Sequence, residues 1–408
     1  MEVVTIFLNR DSWKRVKFGD VIRKVREKAD RQDMHFRRFV AGEHMVTDQL
    51  KIRNWGEINN DYLGPSFNSI FKPGQVLYGS RRTYLRKVAV PDFEGITSTT
   101  TFVLESKDEA ILLQELLPFI MQMESFHAHS IKQSKGGVNP YINYSDLVWF
   151  EFLLPPLDVQ EKVVRILQAN EELINSLHDL GIASNCLYQS ALDSYFGYSS
   201  QISKMESDFS EVNIWKSRKL GDLGSIFFSN VDKKSSENEH QVFLCNYMDV
   251  YSNDYITSDL PFMLATATKN EINKFSLKSG DIIITKDSED PLDMCVPALV
   301  VDELENVICG YHLAIIRTDS KILLPEFLCH YFRSSLARTY IYKMSQGVTR
   351  FALNTGAIKN FPIPMASMEE QKHISEHLTE IRMTAKYSNI GRDYIYLKRA
   401  IIKKLLED

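Results

Sequence analysis

The sequence predicts an α+β fold in which two mixed globules alternate with two long helices, and the helices pair as an antiparallel coiled coil. Two observations lead to this fold class. The 408-residue chain contains an internal duplication, and each copy ends in a long apolar stripe of helical spacing. A chain of this length is also too long for one ordinary domain, so several units are expected.

The duplication is visible in short motifs that return in the same order along the chain. Trp13–Asp20 returns as Trp215–Asp222, and the proline-bounded run Leu154–Lys162 returns as Ile363–Lys372. The offset between matching residues drifts slowly from 202 to 211. A repeat of this length is too long for a solenoid and fits a pair of domains.

The first part of each copy mixes two kinds of pattern. Short β-rich runs bounded by Gly, Pro or charged residues predict strands at residues 76–79, 99–104, 281–285 and 313–317. Helical spacing predicts helices over residues 109–123 and 325–343. Each copy is therefore expected to begin with an α+β globule.

A long helix follows the first globule. Pro155 and Pro156 cannot continue a helix backwards, Asp158 can cap a first turn, and Gly197 ends the pattern. The predicted inward positions step alternately by four and three residues, as in a coiled coil, and one of them is polar. They are Val159, Val163, Ile166, Asn170, Leu173, Leu177, Leu180, Ser184, Leu187 and Ala191.

The second helix carries a weaker seam that begins near Ser367, with Arg392 and Arg399 on it. A helix of roughly 60 Å must bury its apolar stripe, so the two helices are expected to pair. The alternative is that each helix packs separately on its own globule. The inward positions of the second helix are Ile374, Leu378, Ile381, Ala385, Ser388, Ile395, Ile402 and Leu406.

These patterns divide the chain into consecutive predicted segments. The Ser, Glu and Asp content of the middle segment is typical of a flexible linker. The segments are a first globule at residues 1–156, a helix at 157–197, a linker at 198–212, a second globule at 213–366 and a C-terminal helix at 367–408.

Composition argues against several classes of protein. No apolar run approaches the ~18 residues that a membrane span needs, and the amino terminus lacks the features of a signal peptide. The five cysteines stand apart, which argues against a zinc cluster or a disulfide framework and favours a reducing cytosol. The net charge is −5, but residues 1–90 hold 18 Lys and Arg against 10 Asp and Glu, which is compatible with phosphate contact.

The sequence resembles the specificity (S) subunit of type I restriction–modification systems over essentially its whole length. The likeness is carried by Trp13–Asp20, by Lys72–Val88, and by Asn143–Leu147 leading into Leu154–Lys162. Parts of the same pattern recur in the second copy, at Leu220–Asp222, Ser279–Asp281 and Pro362–Lys372.

The resemblance implies that each globule is a target recognition domain reading one half of a bipartite, asymmetric site in double-stranded DNA. It also implies that the helical rod sets the spacing of the half-sites and docks two methyltransferase (M) subunits, with restriction (R) subunits completing the enzyme. No catalytic residue, metal or cofactor is then expected in this chain. S-adenosylmethionine, and ATP with Mg²⁺ for restriction, would be held by partner subunits, in a prokaryotic cytoplasm and without a membrane.

Two loops in each copy are predicted to contact DNA, because Arg and Lys suit guanine edges and phosphates while Gln and Asn suit adenine. In the first copy the candidates are Ser80, Arg81, Arg82, Thr83, Tyr84, Arg86 and Lys87, then Lys132, Gln133, Lys135 and Asn139. In the second copy they are Thr285 and Lys286, then Lys343, Gln346, Thr349 and Arg350. The first loop of the second copy is acidic over Asp287–Asp290, so it either reads cytosine amino groups or does not face DNA.

The segment Asn139-Pro140-Tyr141 is similar to the Asn-Pro-Pro-Tyr signature of DNA adenine methyltransferases, which raises the alternative of a degenerate methylase. The second copy has no such motif, and the sequence contains no glycine-rich cofactor loop after a strand. Tyr141 is therefore expected to pack between globule and helix rather than stack on a flipped base. The remaining alternatives are the recognition subunit of another DNA-modifying or defence assembly, and a coiled-coil scaffold without a DNA role, against which the basic loops argue.

Overall fold

The computed structural model describes residues 10–30, 36–58, 63–197, 215–232, 236–387 and 391–407. The predicted linker at residues 198–212 lies outside these ranges. The chain divides into two compact units, Met1–Leu180 with Ser388–Asp408 (unit 1) and Gly181–Tyr387 (unit 2). The first boundary falls inside the helix Leu157–Leu192 and the second at the end of the helix Met368–Tyr387, so the last residues of the chain belong to unit 1.

Unit 1 is built on two four-stranded sheets, the first antiparallel and the second mixed. Their strand orders are β2-β9-β6-β7 and β4-β3-β8-β5, and a separate antiparallel pair joins β1 to β10. The strands are β1 (Lys14–Lys17), β2 (Ile22–Lys24), β3 (Arg38–Val40), β4 (Gly56–Glu57), β5 (Phe67–Phe71), β6 (Val76–Gly79), β7 (Val88–Ala89), β8 (Gly95–Ser98), β9 (Thr101–Ser106) and β10 (Glu151–Leu154).

The helix predicted over residues 109–123 is wrong. Residues 109–116 form turns, Pro118 lies in the first turn of a short helix, and a new helix begins after Met123, whose backbone is extended. Short 3-10 turns lie at Gly42–His44 and Thr83–Leu85. The helices that begin in unit 1 are α1 (Phe18–Val21), α2 (Leu117–Ile120), α3 (Glu124–Lys132), α4 (Tyr144–Leu147) and α5 (Leu157–Leu192), which a π-helical turn extends to Gly197.

Unit 2 repeats the strand arrangement of unit 1. The antiparallel pair β16·β20 corresponds to β6·β9, and the parallel pair β13·β19 corresponds to β3·β8. The sheet orders are β12-β20-β16-β18-β14 and β15-β13-β19, with the pairs β11-β22 and β17-β21. The strands are β11 (Ser217–Lys219), β12 (Gly224–Phe228), β13 (His240–Cys245), β14 (Tyr255–Ile256), β15 (Met263–Ala267), β16 (Ile282–Thr285), β17 (Asp287–Ser288), β18 (Pro297–Val300), β19 (Val307–Cys309), β20 (Leu313–Thr318), β21 (Phe351–Ala352) and β22 (Pro362–Pro364).

The helix predicted over residues 325–343 is two helices. Ser334 has an extended backbone, and its hydroxyl accepts a hydrogen bond from the Ala337 amide, which caps the second helix. The helices of unit 2 are α6 (Tyr247–Tyr251), α7 (Lys269–Phe275), α8 (Pro325–Arg333), α9 (Ser335–Met344), α10 (Thr355–Lys359) and α11 (Met368–Tyr387), with 3-10 turns at Leu220–Asp222 and Pro291–Asp293. In the described part of the chain, no helix combines the length and apolar character that a membrane crossing requires.

A buried glutamine fixes the start of each long helix on its globule. The Gln160 amide group donates to the carbonyls of Ile111 and Pro155, both at 2.8 Å, and its oxygen accepts from the Leu113 amide at 3.0 Å. Gln371 makes the same three bonds, at 2.9–3.1 Å. Its partners are Ile322, Ala366 and Leu324, each 211 residues after its counterpart.

The long helices pack antiparallel within each unit. In unit 1, Val163 shares a core with Leu406, which follows helix α12 (Gly391–Ile402), and the Lys398 ammonium group donates to Glu171 at 2.6 Å. In unit 2, the Tyr195 hydroxyl bonds the His377 ring at 2.8 Å. Residue numbers rise along α5 as they fall along its partners, as antiparallel pairing requires.

Every second residue of the predicted inward series between Val163 and Leu187 is exposed on α5. Leu167 and Ile174 are buried, whereas the predicted Leu173 and Leu180 are exposed. Asn170 and Ser184 are buried as predicted. Because neighbouring residues such as Ile166 and Leu167 are both apolar, either one can continue a series with coiled-coil spacing. At these steps the predicted seam uses the residue that faces solvent.

Candidate nucleic-acid interface

The two predicted loops of unit 1 form one continuous surface. The Arg82 amide donates to the Pro140 carbonyl at 2.6 Å, and the Ile142 amide donates to the Ser80 carbonyl at 2.9 Å. We call residues 80–87, 99–100 and 130–142 the first loop surface. Its second loop is a hairpin, in which Lys135 and Tyr141 exchange both backbone hydrogen bonds, at 2.7 and 2.9 Å.

Hydroxyl groups predicted to touch DNA instead hold this surface together. Ser80 and Thr83 are buried. The Ser80 hydroxyl donates to the Thr100 carbonyl at 2.6 Å, and the hydroxyls of Thr83 and Ser134 lie 2.8 Å apart. Both hydroxyls are enclosed and already bonded within the protein, and direct contact of Ser80 and Thr83 with DNA stays a prediction.

Arg86 and Lys87 are half-buried and also bonded within the protein. Arg86 is paired with Asp48 at 2.9 Å and with Glu124 at 2.7 Å, and the ammonium group of Lys87 donates to the Gly42 carbonyl. Arg399, near the end of the chain, is paired with the same Asp48. Arg86 and Lys87 thus join the base of the first loop to neighbouring structure, and their contact with DNA stays a prediction.

The remaining candidates of unit 1 present polar groups to solvent. The Arg82 side chain donates through Nε to the Asn139 amide oxygen at 2.8 Å, and both residues are exposed. Lys135 is paired with Asp146 at 2.8 Å, and that hydrogen bond raises the pKa of Lys135. Arg81, Tyr84, Lys132 and Gln133 are exposed, and Arg81 and Lys132 have no ion-pair partner among the described residues.

A pocket of about 290 Å³ opens beside Arg81, where the two loops meet. Lys24, which sequence reasoning missed, lies in its wall with its ammonium group 4.2 Å from the centre of the Phe102 ring, and burial lowers the pKa of Lys24. Tyr141 is 42 % exposed and lines the same pocket, so it does not pack away as expected. The other lining residues are Ser80, Thr99, Thr100, Ile142, Asn143 and Tyr144.

Unit 2 presents the second loop surface, made of residues 286–296, 311–312 and 342–353. Gln346 and Ala352 exchange both backbone bonds of its hairpin, at 3.0 and 2.9 Å, and the Leu353 amide donates to the Lys286 carbonyl at 3.4 Å. A Cβ added to Gly347 would lie 1.9 Å from the Arg350 carbonyl oxygen, so this turn requires glycine. The backbone plan is that of the first loop surface.

A three-residue cluster dominates the second loop surface. The Asp287 carboxylate accepts from Arg350 Nη2 at 2.6 Å and lies 2.7 Å from the His312 ring. Asp287 is buried and Arg350 is exposed, so the carboxylate anchors the guanidinium and orients it toward solvent. The sequence did not point to His312, and it left the role of Asp287 undecided. The acidic composition of the loop marked Asp287 as unusual, but its partner Arg350 lies 63 residues away in the sequence.

Two further candidates of unit 2 are bonded within the protein. The Thr285 hydroxyl is buried, donates to the Asp293 carbonyl and accepts from the Val296 amide, and its contact with DNA stays a prediction. Lys286 is half-buried, and its ammonium group donates to the Ser229 carbonyl at 2.8 Å beside the Tyr311 ring. Lys343, Gln346 and Thr349 are exposed.

Within the described ranges, no group of three or more His, Cys, Asp and Glu side chains is arranged to hold a metal ion.

Comparison with known proteins identifies the family. Residues 10–182 and 213–389 match the type I restriction modification DNA specificity domain. The chain is 23 % identical over 327 residues to the type I restriction enzyme MjaVIII specificity subunit of Methanocaldococcus jannaschii, covering 77 % of this chain and 73 % of the relative.

Two solved structures share the fold. The type I restriction–modification system S subunit from M. genitalium has a TM-score of 0.61 at 12 % identity, covering 98 % of both chains. A chain from a study of complex assembly and conformational transition of the type I R-M system has a TM-score of 0.54 at 18 % identity, covering 97 % of this chain and 98 % of that one.

The family match spans both copies of the repeat, including both loop surfaces and the start of each long helix. This protein therefore belongs to the type I restriction–modification DNA specificity family, as a non-catalytic, DNA-recognising specificity subunit.

Proposed function

We propose that the two loop surfaces each read one half of a bipartite, asymmetric site in double-stranded DNA. One observation carries the proposal: both surfaces share a backbone plan but present different polar groups. Arg82 with Asn139 stands on the first, and Arg350 with Asp287 on the second. Because base edges are distinguished by the donors and acceptors that meet them, the two half-sites should differ in sequence.

A double substitution, Arg81→Ala with Arg82→Ala, tests DNA reading by the first loop surface. In the complex with methyltransferase subunits, we expect weaker binding to duplex DNA and a shallower dependence of binding on salt, because phosphate contacts release counterions. Arg23→Ala is a matched control, since Arg23 is exposed and paired with Glu105 on β9. An unchanged salt slope in the double variant would remove these arginines from the interface.

The exposed apolar stripe of α5 supports a further part of the proposal, the docking of methyltransferase subunits. Ile166, Leu173 and Leu180 are exposed in unit 1 at intervals of seven residues, and Leu187 is exposed in unit 2. Heptad spacing on an exposed helix face is suited to a helix of another chain. In this proposal the M subunits hold S-adenosylmethionine, R subunits use ATP and Mg²⁺, and the complex works in a prokaryotic cytoplasm.

The docking stripe is tested by Leu173→Lys with Leu180→Lys. We expect this variant to fold but to co-elute poorly with the methyltransferase subunits in size-exclusion chromatography, because a charged group cannot be buried unpaired in a helix interface. Glu172→Lys, on the neighbouring exposed position, should assemble normally. Normal assembly of the leucine variant would place the M subunits elsewhere.

A further inference from the structure

The tips of both hairpins carry a valine that is almost wholly exposed. Val138 is 92 % exposed and Val348 is 91 % exposed; among the large apolar side chains of the described residues, the next value is 66 %, at Tyr396. A single exposed apolar side chain is ordinary on a protein surface. Two hairpins that each carry such a valine at the tip are not, because the polar residues around the valines differ; counted from the closing residue of each hairpin, Val138 is fourth and Val348 is third.

The hairpins hold these valines away from the globules. Each hairpin is closed by a pair of backbone hydrogen bonds, between Lys135 and Tyr141 in unit 1 and between Gln346 and Ala352 in unit 2. Backbone bonds and the Arg350–Asp287 pair also tie the hairpins to the neighbouring loops. These bonds hold each hairpin in place, and the tips cannot fold back onto the globules without breaking them.

The charge around each tip indicates the partner. In the first copy, exposed Lys132 ends α3 and exposed Lys135, which is paired with Asp146, begins the hairpin, so both precede the tip. In the second copy, exposed Lys343 lies in α9 before the tip, and exposed Arg350, which is paired with Asp287, follows the tip. An apolar tip near exposed cations is complementary to a groove of duplex DNA, whose edges are phosphates and whose floor carries base edges, including the thymine methyl group. An apolar recess on a protein partner would not by itself account for the cations.

We propose that the hairpins enter a groove of the DNA duplex tip-first, and that Val138 and Val348 make apolar contacts with base edges on its floor. This inference rests on the proposed function of the two loop surfaces and adds to it an apolar contact beside the polar ones. A groove-floor contact is useful at either half-site, so each hairpin can carry a valine at its tip although the two valines stand one position apart and the polar residues around them differ.

The test is Val138→Ala and Val348→Ala, each in the complex with methyltransferase subunits, against a duplex carrying the methylation site mapped in the host genome. We expect a roughly tenfold rise in Kd for this duplex in each variant, from loss of buried apolar area. The salt slope and the affinity for a scrambled duplex should stay unchanged, because no phosphate contact is lost. Val301→Ala, an exposed valine of unit 2 outside the second loop surface, should bind like the parent.

Unchanged Kd in both tip variants would overturn the inference. So would weakened assembly with the methyltransferase subunits at unchanged DNA affinity, because the tips would then be protein contacts. Failure of the proposed function itself has a different signature: the parent complex would show no preference for the mapped duplex over the scrambled one.

Discussion

In the first loop surface the strand-end loop supplies a cation, Arg82, and the hairpin supplies an amide, Asn139. In the second, the loop supplies an anion, Asp287, and the hairpin supplies the cation, Arg350. Asn139 and Arg350 occupy corresponding hairpin positions, yet their partners have reversed chemistry. The comparison shows that main-chain hydrogen bonds keep the framework in place while the side chains that face a ligand diverge.

The largest effect is expected from substitutions in the framework that both copies share. Gln160→Leu and Gln371→Leu should each lower the free energy of unfolding by about 3 kcal/mol, because each removes three hydrogen bonds to backbone groups, one of them buried and two part-buried. The two costs should be alike, since the three bonds are the same in both copies. Urea denaturation, with hydrogen exchange to locate the loosened unit, measures the effect.

Gln168→Leu is the control, because Gln168 is an exposed residue on the same helix as Gln160. A large cost at one glutamine with none at the other would show that the two globules are attached to their helices in different ways, despite the matching bonds.

The duplicated fold was largely predictable from sequence. The candidate DNA-contacting side chains were only partly predictable. Repeated motifs revealed the duplication, and the proline-bounded starts marked both long helices, because backbone rules act locally. The seam of α5 was wrong at Leu173 because its neighbour Ile174 is equally apolar. Loop composition places Thr285 and Arg86 among the candidate DNA contacts, and it does not reveal that both are already bonded inside the globule.

Asp287→Ala sharpens the contrast between the two loop surfaces. We expect a roughly 30-fold loss in the rate of methylation at the cognate site, because Arg350 loses the carboxylate that orients it. The loss should depend on the half-site read by unit 2, and Asp287→Asn should lie between parent and alanine variant. Glu289→Ala, an exposed residue of the same loop, should have little effect.

A different result would revise the role of Asp287. If Asp287→Ala changes which base pair is accepted, and Arg350→Ala leaves that base pair unaffected, the carboxylate reads a base directly and does not act through the arginine. Sequencing the methylated sites of cells that carry each variant distinguishes the two roles.

The smallest expected effect compares two buried histidines. Burial lowers the pKa of His127 in unit 1 to about 4 and that of His330 in unit 2 to about 3, with nearby arginines adding to both shifts. His330 is hydrogen-bonded to Tyr188 and Thr379, at 2.7 and 2.9 Å, whereas the ring nitrogens of His127 have no partner among the described residues. Burial thus lowers the pKa of both rings, and the two histidines differ in their hydrogen bonds.

Acid should therefore destabilise the protein before its carboxylates titrate. Below about pH 6.5, the pKa of histidine in the unfolded chain, each of these histidines is protonated in the unfolded chain but not in the folded one. Each therefore lowers the free energy of unfolding by up to about 1.4 kcal/mol per pH unit as pH falls toward 5. His127→Leu should cost little at pH 7 and flatten this dependence by one histidine. His330→Leu should flatten it equally but cost about 1–3 kcal/mol at pH 7, because the Tyr188 and Thr379 hydroxyls lose their partner. Urea denaturation at pH 7 and pH 5 measures both terms, and an unflattened slope in His127→Leu would mean that His127 is protonated in the fold.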